Sequence, residues 1–333
     1  MDSILLIRLS SLGDVILATG LVRQISTSLP DVAIDVAVDA RFADVWLHNP
    51  RVRAVYPIER AVRTNQQLQE QAVLAPYDHV VDLQRSSRSK DLLRSLRLPK
   101  TTAVSYVDKH RLEKLLLVWL KRRPERVTSV AERYWKTVEH LGVAFDDGGP
   151  EIWTQQDASG ERRERVSIGI APGARHKTKR WTQDGFAQLV RQLVQEHQEQ
   201  VILLGGMDDV DLCSEIDQLA NVGVVRSDGA RDLATTVEAI DGCRLVITND
   251  SALMHLARAR SIPVVAIFGS TVVELGFAPR GADVRIVERS DVQCRPCSHI
   301  GRDSCPKGHH QCMTLITPDQ VLAAAEYVIA LRA

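Results

Sequence analysis

The chain has 333 residues, 44% apolar and 25% charged, with Lys plus Arg and Asp plus Glu balanced at 42 each. That length and composition suit two globular domains, each burying its own core, and exclude a disordered or fibrous chain. With no net charge there is no global field to draw nucleic acid, so cationic function must be local. No apolar run approaches the roughly 18 residues of a membrane span. The first apolar stretch, Ile4 to Ile7, is broken by Arg8, Gly13 and Asp14, too early for a secretory signal. The expectation is a cytoplasmic protein whose six cysteines serve as thiols or metal ligands rather than disulfides.

In chain order, Ile4 to Ile7 reads as a strand and Ser10-Ser11-Leu12-Gly13-Asp14 as a turn opening a helix to about Ser28, packed through Val15, Ile16, Ala18, Leu21, Val22 and Ile25. Strands follow at Ala33 to Val38, Ala54 to Pro57 and His79 to Leu83, with helical stretches at Phe42 to Leu47 and Gln67 to Ala75 between them. This alternation predicts a parallel sheet covered by helices. After Gln84 the chain turns basic, through Arg85, Arg88, Lys90, Arg94, Arg97 and Lys100. Apolar Leu115 to Leu120 then lies between cationic flanks, as in a helix that packs inward or one that meets an anionic lipid surface. A helix from Ser129 to Leu141 precedes an aperiodic stretch, Gly142 to Gly160, the best linker candidate.

The alternation then restarts. Strands are expected at Val166 to Ile170, Gln200 to Leu204, Gly223 to Val225, Leu245 to Thr248 and Val264 to Phe268; helices at Gln183 to His197, Val210 to Leu219, Asp232 to Ile240 and Pro318 to Leu331. The sequence therefore predicts an α/β protein of two Rossmann-like parallel-sheet domains facing across a cleft: residues 1–155, then 165–317, with the helix at 318–333 packing back on the first domain.

Ligands of open parallel sheets bind at the carboxyl ends of strands, where the next helix offers free N–H groups to an anion. Asn249-Asp250-Ser251-Ala252 is such a turn. Its helix start suits a phosphate, while Asp250 would repel phosphate yet accept from sugar hydroxyls; an N-cap without ligand is the plain alternative. Ala171-Pro172-Gly173-Ala174 ends another strand, and Arg175, His176, Lys177, Lys179 and Arg180 crowd the loop after it, enough charge for a diphosphate. Gly205-Gly206 precedes Asp208, Asp209 and Asp211. Asp209 and Asp211 have the spacing of a divalent-metal clamp, but acids are common at helix starts and a ribose hydroxyl is the better partner. Asp14, in a first helical turn, is a candidate general base or merely a helix-start acid. The glycine turns fit neither GxGxxG nor GxxxxGK[ST], and no GxSxG elbow is present, which favours a transferase or a binding protein.

Cys294, Cys297, Cys305 and Cys312 fall in one Pro- and Gly-interleaved loop, 291–313, able to offer four thiolates to structural zinc or iron, with His299, His309 and His310 as spare ligands. Cys213 and Cys243 read as core.

Taken in order, IRLSSLGDVILATGLV, VVDLQRSSRS, IAPGARHKTKRW, VILLGG and ITNDSALMHLA resemble the heptosyltransferases of glycosyltransferase family 9, over nearly the whole chain. The resemblance implies a GT-B fold, an ADP-heptose donor in the second domain and inverting transfer without a catalytic metal. It implies Asp14 as the base; Lys179 on phosphate; Asp250 on the heptose hydroxyls; Ser251 and Ala252 on the diphosphate; Gly173, Gly206, Asp208 and Asp209 around the nucleotide. Arg88, with Arg60 and Arg63, would meet an anionic acceptor. Where many relatives have threonines before the lysine this chain has Ala174 and Arg175. The implied acceptor is the lipopolysaccharide inner core, with peripheral contact at the inner membrane. The four-cysteine loop resembles one that holds iron in protein heptosyltransferases, which makes a protein acceptor the alternative. A non-enzymatic nucleotide-sugar binding protein and a sugar-nucleotide epimerase are the readings from other classes.

Overall fold

A computed structural model describes residues 1–61, 65–158, 164–230 and 232–331. The chain divides into two compact units, Met1–Lys109 with Val130–Gly160, and His110–Ser129 with Glu161–Ala333.

In the first unit, strands β1 (Ser3–Ile7), β2 (Ala33–Asp39), β3 (Ala54–Ile58), β4 (His79–Asp82) and β5 (Ala103–Tyr106) form one parallel sheet in the order β3-β2-β1-β4-β5. The central strand β1 is buried along its whole length, which explains its unbroken apolar run. Helices α1 (Leu12–Ser28), α2 (Gln66–Leu74), α3 (Ser87–Ser95) and α5 (Val130–Trp135) accompany it. Leu5, Ile7, Val80, Leu68 and Leu92 meet in the core on one face. The helical stretch expected at Phe42 to Leu47 is a 3-10 turn, Ala40–Val45, started by the Asp39 carboxylate accepting from Arg41 N. The expected linker is not free chain at its beginning: Asp146 takes two bonds from Arg23, and Glu151 N donates to Thr19. Gly20 permits this approach, since a Cβ there would lie 2.7 Å from Gly149 O.

In the second unit, β6 (Ser167–Ala171), β7 (Val201–Gly206), β8 (Val225–Ala230), β9 (Cys243–Asn249), β10 (Val264–Phe268) and β11 (Val284–Glu288) form a parallel sheet ordered β11-β10-β9-β6-β7-β8. With it go α4 (Arg111–Trp119), α6 (Gln183–Gln195), α7 (Val210–Ala220), α8 (Leu233–Asp241), α9 (Ala252–Ala259), α10 (Gln311–Thr314) and α11 (Pro318–Ala330). Helix α11 buries Val321, Ala325 and Val328 in this unit's core, against α6 and strands β9 to β11. The sequence reading placed it on the first domain; its apolar positions are instead satisfied by the sheet that immediately precedes it. Cys213 and Cys243 are core residues, their thiol pKa values pushed up to about 12, mainly by burial. Among the described residues no helix is long and apolar enough to cross a membrane.

Candidate active site

The first unit brings its chemistry to the carboxyl end of β1. Ser11 caps α1, its hydroxyl donating to Asp14 Oδ2 at 2.8 Å and its N–H at 3.3 Å. Arg8 pairs with the other oxygen at 2.7 Å, and the Tyr134 hydroxyl reaches it at 3.3 Å from α5. Gln84 locks the loop from the β4 side, accepting from Leu9 N and Ser10 N. Burial by itself would raise the Asp14 pKa, but Arg8 and the Ser11 donors outweigh it and hold the carboxyl below its ordinary value. Asp14 is therefore an ionised carboxylate, oriented from three sides, and a weak base at rest.

The expected acceptor arginines fare differently. Arg88 donates to Asp39 at 2.6 Å and to Ile58 O at 3.0 Å, so its guanidinium ties α3 to the ends of β2 and β3. Arg60 is exposed beyond β3. Arg63 lies outside the described residues.

In the second unit, three strand ends converge. Lys179, on a 3-10 turn (Lys177–Lys179), pairs with Asp250 Oδ2 at 2.6 Å, and Thr271, just after β10, donates to the same oxygen at 2.7 Å. Asn249 fastens the neighbouring loop, donating to Pro172 O at 2.7 Å and accepting from Trp181 N at 3.0 Å. Ser251 stands at the start of α9 without a side-chain capping bond, its hydroxyl lying 3.3 Å from that of Thr248. An Asp/Ser capping role thus fails to account for this turn, while the helix start retains the anion-favouring N–H groups of Ser251 and Ala252 that any helix offers. Lys179 has three N–H donors, so the pair with Asp250 leaves capacity for a phosphate.

Asp209 is turned back into the fold. A Cβ on Gly173 would collide with its carboxylate, a Cβ on Gly205 would lie 2.7 Å from its Cβ, and Gly206 N donates to it at 3.2 Å. Burial raises its pKa, with Asp208 and Asp228 adding to the shift against Gly206 and Arg180. Asp208 and Asp211 are exposed. The Asp209 and Asp211 spacing therefore makes no metal clamp. The Asp209 carboxylate is cradled by glycines rather than offered outward as the sequence suggested.

The four expected cysteines do gather: Cys294, Cys297, Cys305 and Cys312 line one small cavity, together with Thr178, His309 and His310. Cys294 Sγ lies 3.8 Å from His309 Nε2, and His310 N donates to Cys305 Sγ at 3.4 Å. Burial raises the Cys297 pKa and pushes Cys312 up to about 11. The donor set suits zinc or iron, yet among the described residues no group of three or more His, Cys, Asp or Glu is closed enough to hold an ion. Thr271, Thr178 and Arg8 were not singled out from sequence. Thr271 had a usable signal, since it follows a buried strand end just as Asp250 does.

Two Rossmann-like parallel sheets with chemistry at their carboxyl strand ends define a GT-B glycosyltransferase fold. Residues 62–306 match glycosyltransferase family 9 (heptosyltransferase), well over half of the chain, and the protein belongs to that family. It is 27% identical to lipopolysaccharide heptosyltransferase 2 of Escherichia coli K12 over 345 residues, covering 96% of each chain. To lipooligosaccharide heptosyltransferase 2 of Campylobacter jejuni it is 31% identical over 173 residues, 50% of this chain and 52% of that one. The chain thus spans about half the length of the Campylobacter jejuni relatives it matches. A solved glycosyl transferase family 9 protein of Veillonella parvula superposes with a TM-score of 0.79 at 20% identity, covering 100% of this chain and 98% of that one.

Proposed function

We propose that the protein transfers a heptose from ADP-heptose to a hydroxyl of the lipopolysaccharide inner core, with inversion at the anomeric carbon. The observation that carries the donor assignment is the Lys179–Asp250 pair beside the start of α9. It sets a cation and helix N–H groups for a diphosphate next to a carboxylate that can accept from sugar hydroxyls. The similarity to lipopolysaccharide heptosyltransferase 2 over nearly the full chain supports the donor and the lipid acceptor.

In this reading Asp14 accepts the proton of the acceptor hydroxyl as that oxygen bonds to the anomeric carbon, and the bond from that carbon to the diphosphate oxygen breaks to release ADP. Because Arg8 holds Asp14 well ionised, the proton moves in concert with attack rather than before it. Lys179 and the α9 start stabilise the charge growing on the leaving diphosphate. Ser251 and Ala252 supply backbone N–H groups, while Gly173, Gly206, Asp208 and Asp209 shape the nucleotide side. Arg60, exposed beyond β3, is better free to meet an anionic acceptor than Arg88, which is engaged with Asp39.

Helix α4 fits a lipid acceptor. It buries Leu117 against Val272 and Leu275 yet exposes Leu112, Leu115 and Trp119, with Leu120 just beyond, among cations including Arg111 and Arg122. An apolar face with a basic surround suits peripheral contact with the anionic inner face of the inner membrane.

One observation favours a second reading. The four thiols around one cavity would, on closing together, hold structural zinc or iron through Cys294, Cys297, Cys305 and Cys312, which would align the protein with heptosyltransferases that modify proteins. The metal would order the loop and take no part in transfer.

Calorimetric titration of ADP, UDP and GDP tests the donor assignment. ADP should bind at least tenfold more tightly than the others, and Lys179→Ala should weaken it by about tenfold, the scale of a charge-assisted contact. Preference for UDP or GDP, or an unchanged ADP affinity in the variant, would overturn it.

A further inference from the structure

The four-cysteine loop touches the donor site at both ends of the Lys179–Asp250 pair. On the lysine side, Thr178 is 2% exposed and bound by the loop through every polar atom it has. Its N–H donates to Arg302 O at 3.0 Å; its hydroxyl donates to the same oxygen at 3.0 Å and accepts from Arg302 N at 2.8 Å. Its carbonyl lies 3.2 Å from His310 Nε2. Gly301, at φ +106°, lets the loop approach closely: a Cβ there would stand 2.6 Å from His176 Cβ and 3.0 Å from Lys179 Cδ. On the aspartate side, the buried Arg295 donates to Thr271 O at 3.0 Å and Phe268 O at 3.2 Å, and to Glu288 at 2.6 Å. Thr271 is the residue whose hydroxyl holds Asp250. Cys297 N adds a bond to Ser270 O at 3.2 Å.

These contacts reach far beyond what the loop needs for its own shape. A 3-10 turn of three residues cannot hold a long lysine in place alone, and here its middle residue is fixed by a segment more than 120 positions later in the chain. We propose that the four-cysteine loop sets the geometry of the donor pair, with Thr178 the positioning residue for Lys179 and Arg295 for Thr271 and Asp250. Donor affinity then depends on the order of this loop as well as on the residues that touch the donor. The inference rests on the reading of Lys179 as the diphosphate contact.

The test compares Thr178→Val, which keeps shape and loses the hydroxyl, with Thr178→Ser, which keeps the hydroxyl, using ADP as the probe and Lys179→Ala as the control. Thr178→Val should raise the ADP Kd about tenfold through a displaced lysine, whereas Thr178→Ser stays within about twofold of the parent. Gly301→Ala, strained at φ +106° and set first against His176 Cβ and then Lys179 Cδ from the loop side, should weaken ADP in the same direction and gives a second variant should Thr178→Val fail to fold. A lowered melting temperature with unchanged ADP affinity in both Thr178→Val and Gly301→Ala would reduce Thr178 to a packing role and overturn the inference. If Lys179→Ala itself leaves ADP binding unchanged, the underlying donor reading falls, and the inference with it.

Discussion

Arg8 and Asp14 show how much of the proposed chemistry is fixed by one short ion pair. The carboxylate is mostly buried, and burial alone would favour its neutral form; the guanidinium at 2.7 Å and the Ser11 donors reverse that preference. Replacing Arg8 with Met should leave the Asp14 charge uncompensated and cost about 3 kcal/mol at neutral pH. The sign with pH follows from the depressed pKa. The stability contributed by this carboxylate is fully present above its ordinary value of 3.8 and is lost as pH falls through the lower folded value. Without Arg8, burial raises the variant's Asp14 pKa, so urea titrations of both proteins should show a gap that is wide at pH 7, starts to narrow above the ordinary value of 3.8 and goes on narrowing as pH falls through the parent's lower value. A gap that stays constant, or widens in acid, would show that Asp14 is not held ionised by Arg8. Asp14 and Asp250 were legible in the sequence because both follow apolar strand runs. Thr271 carries a similar signal, though its partner Asp250 lies at another strand end; Arg8 pairs within its own strand-end turn, where nothing in the neighbouring residues marks the pairing, and Thr178 is held from more than 120 residues away.

At the scale of elements, the glycine after β6 and those that end β7 decide where Asp209 goes. Gly173 and Gly205 leave room for its carboxylate between two strand ends, and Gly206 N binds it there. Gly205→Ala would set a Cβ 2.7 Å from Asp209 Cβ, a contact that side-chain rotation cannot relieve, so the start of α7 must shift. A loss of about 1–3 kcal/mol in denaturant-measured stability is expected, the range for an overpacked methyl; a loss under about 0.5 kcal/mol would mean that the turn is not tightly packed. Strands β1, β4, β6, β9 and β10 were readable because burial on both faces makes them near-continuous apolar runs. Strands β5 and β11, and most of β8, escaped that reading. β8 carries Arg226-Ser227-Asp228-Gly229, β5 is exposed at both ends, and each is the outermost strand of its sheet, so neither shows the pattern of a buried strand.

Across the whole molecule, the same device appears in each unit: a parallel sheet whose central strands end in a short polar turn and a helix start. The first unit presents a carboxylate held by an arginine; the second presents a lysine and a carboxylate held by a threonine and braced by the four-cysteine loop. Sequence order located both turns, but it assigned His110–Ser129 to the first domain. In the structure that segment clusters with the second unit, because Leu117 finds its apolar partners at Val272 and Leu275. The most direct measurement is transfer itself: purified protein, ADP-heptose and an anionic inner-core glycolipid, with the glycolipid followed by mass spectrometry and ADP release followed in parallel. The account predicts one heptose added per ADP released, both dependent on the glycolipid, and turnover lost in Asp14→Ala while ADP affinity stays near that of the parent. Donor consumed without acceptor, or near-normal turnover in Asp14→Ala, would contradict it.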